Sequence, residues 1–307
     1  MDIVSEQQAR NEKRHAAMSS VIAAFALTGM KIVVGLLTNS LGILSEASHS
    51  GLDMVAAIVT FWAVRVSDKP ADREHPYGHG KVENLSAFFE TLLLLGTCFW
   101  IIWEAVARLF FKSAEVKVTV WSFIVIIISI VVDFSRSRML YKTARKHNSQ
   151  ALEADALHFS TDIYSSGVVL IGLIGVWLGS KNPSLKWLEK ADAIAAFGVA
   201  MIVIWISIEL GKRTIQGLLD AAPHGLDVRI KETVEKLEGV IDCHNIRVRS
   251  SGPKLFVDVH VTLDGDQSLT AAHRLTELIE CKIQGLAPKA DVTVHPEPVE
   301  EESPLPS

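Results

Sequence analysis

The chain is predicted to be a polytopic α-helical membrane protein with six transmembrane helices, followed by a small α+β domain in water. Three observations predict this. The mean hydropathy is +0.28, high for a soluble protein. Yet 21% of the 307 residues are charged, too many for a chain lying wholly in lipid. Both numbers hold only if apolar and charged residues segregate, and they do: long apolar stretches crowd the chain before residue 210. With 49% hydrophobic residues, bulk disorder is excluded. A net charge of −5 without a basic stripe gives no footprint for nucleic acid. Cys98, Cys243 and Cys281 are scattered and form no CxxC, which indicates neither a disulfide framework nor a zinc ribbon.

The apolar stretches run over residues 16–37, 41–66, 82–111, 118–140, 151–179 and 193–210. Each approaches or exceeds the roughly 20 residues that carry a helix across a hydrocarbon core of about 30 Å. Only residues 163–180 are free of charge over a full span. The others hold Lys31, Asp53, Glu90, Glu104 or Asp133 within the stretch or near its ends. The first is too long for a signal peptide and no small-residue cleavage site follows, so it reads as a span.

Lys and Arg counts set the orientation. Arg10, Lys13 and Arg14 precede the first span; Arg65, Lys69, Arg73 and Lys81 surround the second loop; Arg136, Arg138, Lys142, Arg145 and Lys146 surround the fourth. The alternate loops are poorer, with none in the first, Lys112 and Lys117 in the third, and Lys181, Lys186 and Lys190 in the fifth. The bias places both termini in the cytoplasm.

After Leu210 the pattern changes. Residues 217–225, with Pro223, read as a hinge. Ile230, Val234 and Leu237 make one apolar helix face. Ile246 and Val248 alternate with Arg247 and Arg249, and Ser251, Gly252 and Pro253 turn the chain. Val257, Val259, Val261 and Leu263 then alternate with Phe256, Asp258, His260 and Thr262 as a second strand. Leu275, Leu278, Ile279 and Ile283 mark a helix, and Val292 and Val294 a last strand. The order α-β-β-α-β suits helices packed on one face of a sheet. The Pro- and Glu-rich end of the chain is expected to be disordered.

The chemistry lies in ionisable residues inside apolar stretches. His49 and Asp53 stand four apart in the second span, and His158 and Asp162 repeat that spacing in the fifth. Residues four apart share a helix face. A carboxylate at the bilayer centre costs about 3 kcal/mol or more on insertion scales. Such groups persist by compensating one another, lining a water path or binding a cation. Each pair alone could simply hydrogen-bond within its helix. Duplicated on two spans, the pairs supply two nitrogens and two oxygens, a set suited to tetrahedral Zn²⁺ and also to cobalt or iron(II). In the second loop, Asp72, His75 and His79 offer three more donors, although Asp, His and Gly are also ordinary turn residues. His244, His260, His273 and His295 fall in the terminal domain, and periodicity does not show whether they converge. Cys243 reads as a small buried residue rather than a ligand.

Six spans, HxxxD in the second and fifth, the loop from Asp72 with HPYGHGK, and a His-bearing α+β tail together resemble the cation diffusion facilitator family. The resemblance covers roughly residues 10–297, and is most specific in the two HxxxD motifs and residues 68–83. It implies a homodimeric, proton-coupled exporter of divalent metal, with a membrane domain over 10–213, a cytoplasmic ferredoxin-like domain over 214–297 and a tail over 298–307. By position, His49, Asp53, His158 and Asp162 match the family's transport site, and Asp72, His75 and His79 its loop site. His244, His260, His273 and His295 match its regulatory metal positions, with His273 bridging two ions. Glu297 stands where the family commonly has Asp, one methylene shorter. Bacterial members often have Asp at the first transport position; His49 is similar to zinc-preferring members. Zinc therefore leads, with Fe²⁺, Co²⁺, Ni²⁺, Mn²⁺ and Cd²⁺ as further cargoes. Lys81 and Asp220 match a charge interlock at the dimer interface. The short N-terminus and the absence of a long His-rich loop point to a bacterial inner membrane.

Two other function classes compete: a metal-sensing membrane scaffold, and a membrane metallohydrolase. Catalytic zinc keeps an open position; a four-ligand cage leaves none, and no HExxH occurs in the chain.

Overall fold

The computed structural model describes residues 3–38, 41–110, 120–181, 188–288 and 290–299. Lys112, Lys117 and Lys186 of the third and fifth loops, and residues 300–307 of the acidic tail, lie outside them. Six long helices come first: α1 (Ile3–Leu37), α2 (Leu41–Ser67), α3 (Lys81–Phe110), α4 (Val120–His147), α5 (Gln150–Lys181) and α6 (Leu188–Leu218). Four of them, among the described residues, are long and apolar enough to cross a bilayer: Gln7–Leu37, Glu46–Ser67, Lys81–Trp103 and Val120–His147. The helices outrun the apolar stretches because a turn needs only satisfied backbone groups, and charged turns continue it into water. At 1.5 Å per residue, the 28 residues of α4 reach about 42 Å, beyond a core of about 30 Å.

The chain divides into two compact units, Met1–Ile215 and Gln216–Ser307. In the first, α1 packs along α2, α4 along α5, and α2 meets both α3 and α5. Small residues permit this closeness. A Cβ at Gly35 of α1 would stand 2.8 Å from Leu44 of α2, so glycine there lets the two helices approach. Between α4 and α5 the chain reverses at Asn148, in the left-handed region at φ 51°. Ser149 then caps α5, its hydroxyl accepting from the Leu152 amide. That tight reversal fixes which face of α5 turns inward. Asp155, His158 and Asp162, spaced three and four apart, all fall on it.

The hinge is shorter than expected. Gly217 is still helical, since α6 runs to Leu218, and the irregular stretch begins at Leu219. It holds Asp220 at φ 60° and Gly225 at φ 71°.

The second unit contains α7 (Leu226–Val234), β1 (Val240–Ser251), β2 (Lys254–Leu263), α8 (Leu269–Leu286) and β3 (Asp291–Pro298). β2 is central, antiparallel to β1 and parallel to β3. Ile230 and Val234 of α7, Val257, Val259 and Val261 of β2, and Ile279 and Ile283 of α8 form its core. Each such side chain is worth about 1.5–3 kcal/mol when fully buried. Leu237 packs on that core from beyond the end of α7, where the helix has stopped. β3 continues through Glu297 to Pro298, so strand pairing extends into the first residue of the segment expected to be disordered.

Candidate metal centres

The two HxxxD pairs meet. His158 Nε2 lies 3.1 Å from Asp53 Oδ1 and 3.7 Å from Asp162 Oδ2. His49 Nε2 lies 3.9 Å from Asp53 Oδ1 and 3.8 Å from Asp162 Oδ1. Each imidazole thus stands between both carboxylates, one from its own helix and one across the α2–α5 contact. Ligand atoms of Asp53, His158 and Asp162 all lie within 4.8 Å of one another. His158 is 3% exposed, whereas the His49 side chain is 40% exposed, so the cluster is open on the His49 side. Buried carboxylates without a counter-charge are costly. The quartet resolves this with its own imidazoles and offers a divalent ion two oxygens and two nitrogens.

The loop residues also come together. His75 Nδ1 and His79 Nε2 each lie 3.3 Å from an oxygen of Asp72, and the two rings are 4.5 Å apart. Asp72 also accepts from the backbone amides of His75 at 2.7 Å and Glu74 at 3.0 Å. The His75 amide above all, with its ring and the Glu74 amide, holds the Asp72 carboxyl below its ordinary value. The same bonds that shape the turn therefore favour the ionised carboxylate.

In the second unit, strand register assembles the site. His244 pairs with His260, and His260 with His295, placing three imidazoles in a row across the sheet. Their ring centroids are 5.7 and 4.8 Å apart. Glu297, two residues after His295, shares its face. Its carboxylate lies 2.7 Å from His260 Nδ1, 3.1 Å from His244 Nε2 and 3.6 Å from His295 Nε2. The His260 hydrogen bond, more than any other contact, holds the Glu297 carboxyl below its ordinary value. Glu297 thus belongs to the cluster despite its extra methylene. His273 does not: it stands on α8, 70% exposed at its side chain, 3.6 Å from Glu277. The helix occupies the core side of the sheet, and the histidine row lies on the other. Cys243 faces the core, fully buried, and burial pushes its thiol up to about 11.

A bulge makes this row possible. Residues 244 and 248 have the same parity, so a regular strand would put both on one face. The register shifts between His244 and Arg247, with Asn245 at φ 49°. The extra residue reverses the alternation. His244 then joins the polar face while Val248 enters the core.

Lys81 opens α3 and Asp220 lies in the turn after α6, one in each unit. Several functional candidates escaped the spacing patterns. Asp242 holds His244 Nδ1 at 2.9 Å. Lys13 is buried, 2.6 Å from Asp68 and 3.0 Å from Glu83, and Ser67 and Ser149 also donate to Glu83. Arg136, Asp155 and Glu90 form another buried group. Their sequence signals are the charge of Glu90 inside an apolar stretch and helical phase: Asp155 precedes Asp162 by seven residues, two turns on one face.

Comparison with known proteins covers nearly the whole chain. Residues 17–219 match the family described as cation efflux transmembrane domain, and residues 223–299 the cation efflux protein, cytoplasmic domain. The cation-efflux pump FieF of Cronobacter sakazakii is 30% identical over 284 residues, covering 92% of each chain. FieF of Salmonella arizonae is 31% identical over 288 residues, with the same coverage. Among solved structures, a CzrB chain is 26% identical and matches 26% of this chain and 100% of that one, with a TM-score of 0.25. A MamM CTD in its nickel form is 22% identical over 25% of this chain and 100% of that one, at 0.24. Apolar helices, a C-terminal sheet domain and matches along both halves lead to one assignment. The chain belongs to the cation diffusion facilitator family of cation-efflux membrane transporters.

Proposed function

We propose that this protein exports divalent metal from the cytoplasm by alternating access, with zinc as leading cargo and protons moving the other way. The observation that carries the reading is the convergence of His49, Asp53, His158 and Asp162 from two helices, with imidazole–carboxylate separations of 3.1–3.9 Å. Two nitrogens and two oxygens suit tetrahedral Zn²⁺; Fe²⁺, Co²⁺, Ni²⁺, Mn²⁺ and Cd²⁺ fall within reach of the same donors. Two ionised carboxylates offset the ion's two charges, which lowers the cost of holding it in the membrane. The imidazoles bind metal only when neutral, so uptake releases any protons they carry. Rocking of the helices then exposes the quartet to the far side, where protons displace the cargo. No covalent bond forms or breaks.

In this reading Asp72, His75 and His79 hold a second ion at the loop. His244, His260, His295 and Glu297 hold a regulatory one in the cytoplasmic domain. His273 stands apart within one chain and, 70% exposed at its side chain, is open to a second copy in the proposed homodimer. Lys81 and Asp220 would tie that dimer together. The Lys and Arg bias and the bacterial relatives support a bacterial inner membrane with both termini inside.

The test is zinc flux in proteoliposomes under a pH gradient, with Asp162→Ala beside wild type. The mutant is expected to lose flux. Undiminished flux would remove the quartet from the transport path, and wild-type protein without flux would favour a metal-sensing scaffold.

A further inference from the structure

Two helical turns from the quartet, toward the α2–α3 loop, lies a second polar layer. Thr60 follows Asp53 by seven residues on α2, and Asp155 precedes Asp162 by seven on α5. Both therefore stand on the quartet's helix faces, about 10 Å farther along. The Thr60 hydroxyl donates to Glu90 of α3. Ser20 of α1 donates to Asp155 Oδ2 at 3.1 Å and accepts from Arg136 Nη2 of α4 at 3.0 Å. Arg136 also reaches Asp133 at 3.3 Å, and its guanidinium covers the Phe159 ring at 3.5 Å. Five helices contribute to this layer.

Four of its buried atoms make no hydrogen bond to the described residues: Glu90 Oε2, Asp155 Oδ1, Arg136 Nε and His158 Nδ1. Leaving such an atom unpaired costs about 1–3 kcal/mol. Buried polar atoms without a protein partner are generally completed by ordered water. His158 is the link between layers. Its Nε2 belongs to the quartet, and its Nδ1 is one of the four. A metal-ligating histidine usually gives its second N–H to a carboxylate, a carbonyl or water, which fixes tautomer and ring orientation. The carboxylates of this layer are Asp155, one turn earlier on the same face, and Glu90, held by the Thr60 hydroxyl on the quartet's face of α2.

We propose that Glu90 and Asp155 are positioning residues for cargo binding: through buried water they accept the Nδ1 hydrogen of His158 and keep its Nε2 free for metal. Arg136, bonded to Asp133 and through Ser20 to Asp155, supplies the positive charge of the layer. The quartet alone would bind metal with a loosely held imidazole; with this layer the ligand is preset. The inference rests on the transport-site reading above.

The test uses full-length protein in proteoliposomes, with zinc flux measured against zinc concentration for wild type, Glu90→Gln, Thr60→Val and Asp162→Ala. Glu90→Gln keeps size and removes charge; Thr60→Val keeps shape and releases Glu90, and serves if the first variant does not reach the bilayer. Both are expected to raise half-saturating zinc roughly 10–100-fold, the usual effect of outer-shell changes, with maximal flux per folded protein retained. A merely structural role would lower maximal flux and leave half-saturation in place. Equilibrium zinc binding in detergent, with His260→Ala and Asp72→Ala removing the other candidate sites, should show the same shift without flux. Wild-type half-saturation in Glu90→Gln and Thr60→Val, beside an inactive Asp162→Ala, overturns the positioning role alone. Flux in Asp162→Ala overturns the transport site and this inference with it.

Discussion

His158 Nε2 lies 3.1 Å from Asp53 Oδ1, although 105 residues separate them. The contact joins α2 to α5 at the level where each helix also carries a second ligand. It makes two short intrahelical motifs into one centre.

Removal of Asp53 should therefore disable the centre and not merely weaken it. Asp53→Ala leaves His158 without its nearest acceptor and takes one carboxylate from the proposed cargo site. The expected loss of zinc affinity exceeds the roughly 10–100-fold of outer-shell changes. Zinc-dependent flux, read against Asp72→Ala as a control outside the quartet, checks it.

Lys13 is expected to matter through stability. It is 4% exposed and holds Asp68 and Glu83, itself 0% exposed. Lys13→Met takes the buried cation from both acids, leaving Asp68 only Arg14 at 3.7 Å and Glu83 only the Ser67 and Ser149 hydroxyls, at a cost of about 3 kcal/mol. Thermal unfolding in detergent should show a large drop, and adding Glu83→Gln should recover part of it. An unchanged midpoint would mean that water already reaches the pair.

The histidine row should carry an acid-sensitive bond. The Glu297 carboxyl sits below its ordinary 4.5 because His260 donates to it, so folding favours the ionised form. Its contribution is then complete above about pH 4.5 and disappears as pH falls through the folded-state value. The stability difference between wild type and Glu297→Gln should be largest near neutrality and shrink below pH 4.5. Denaturant titrations of residues 216–307, which carry their own core, measure it across pH.

Thiol labelling should separate the cysteines of the second unit. Cys243 is buried, and desolvation with the nearby Glu235 and Asp242 carboxylates pushes its thiol up to about 11. Cys281 is exposed. Maleimide at neutral pH should modify Cys281 and spare Cys243 in the folded protein, and Cys243→Ala should leave zinc binding unchanged. Rapid labelling of Cys243 would contradict its place in the core.

Much of this site was legible because helices repeat locally. Spacing of four aligned His49 with Asp53 and His158 with Asp162 before any contact between the helices was known, and the compact loop brought Asp72, His75 and His79 together. The α-β-β-α-β order followed from apolar alternation and periodicity. The bulge at Asn245 was not legible, because Ile246, Arg247, Val248 and Arg249 continue an ordinary alternation that hides the change of phase before them. Nor could spacing distinguish His273 from the other three histidines, since all lie in amphipathic segments. Lys13 read as one of several cytoplasmic cations, and only packing buried it.

By itself the sequence determined the membrane body, the small domain and the seven histidine and aspartate side chains paired in the spans or crowded in the second loop. These are local properties, set by hydropathy and by residues within one or two turns. Tertiary structure decided what those side chains meet. It set Asp53 against His158, aligned His244, His260 and His295 across three strands, and collected Glu90, Asp155 and Arg136 from three helices beside the quartet. Such meetings depend on helix rotation and strand register, which are fixed by long-range packing and buried hydrogen bonds. A spacing in one segment carries no information about them.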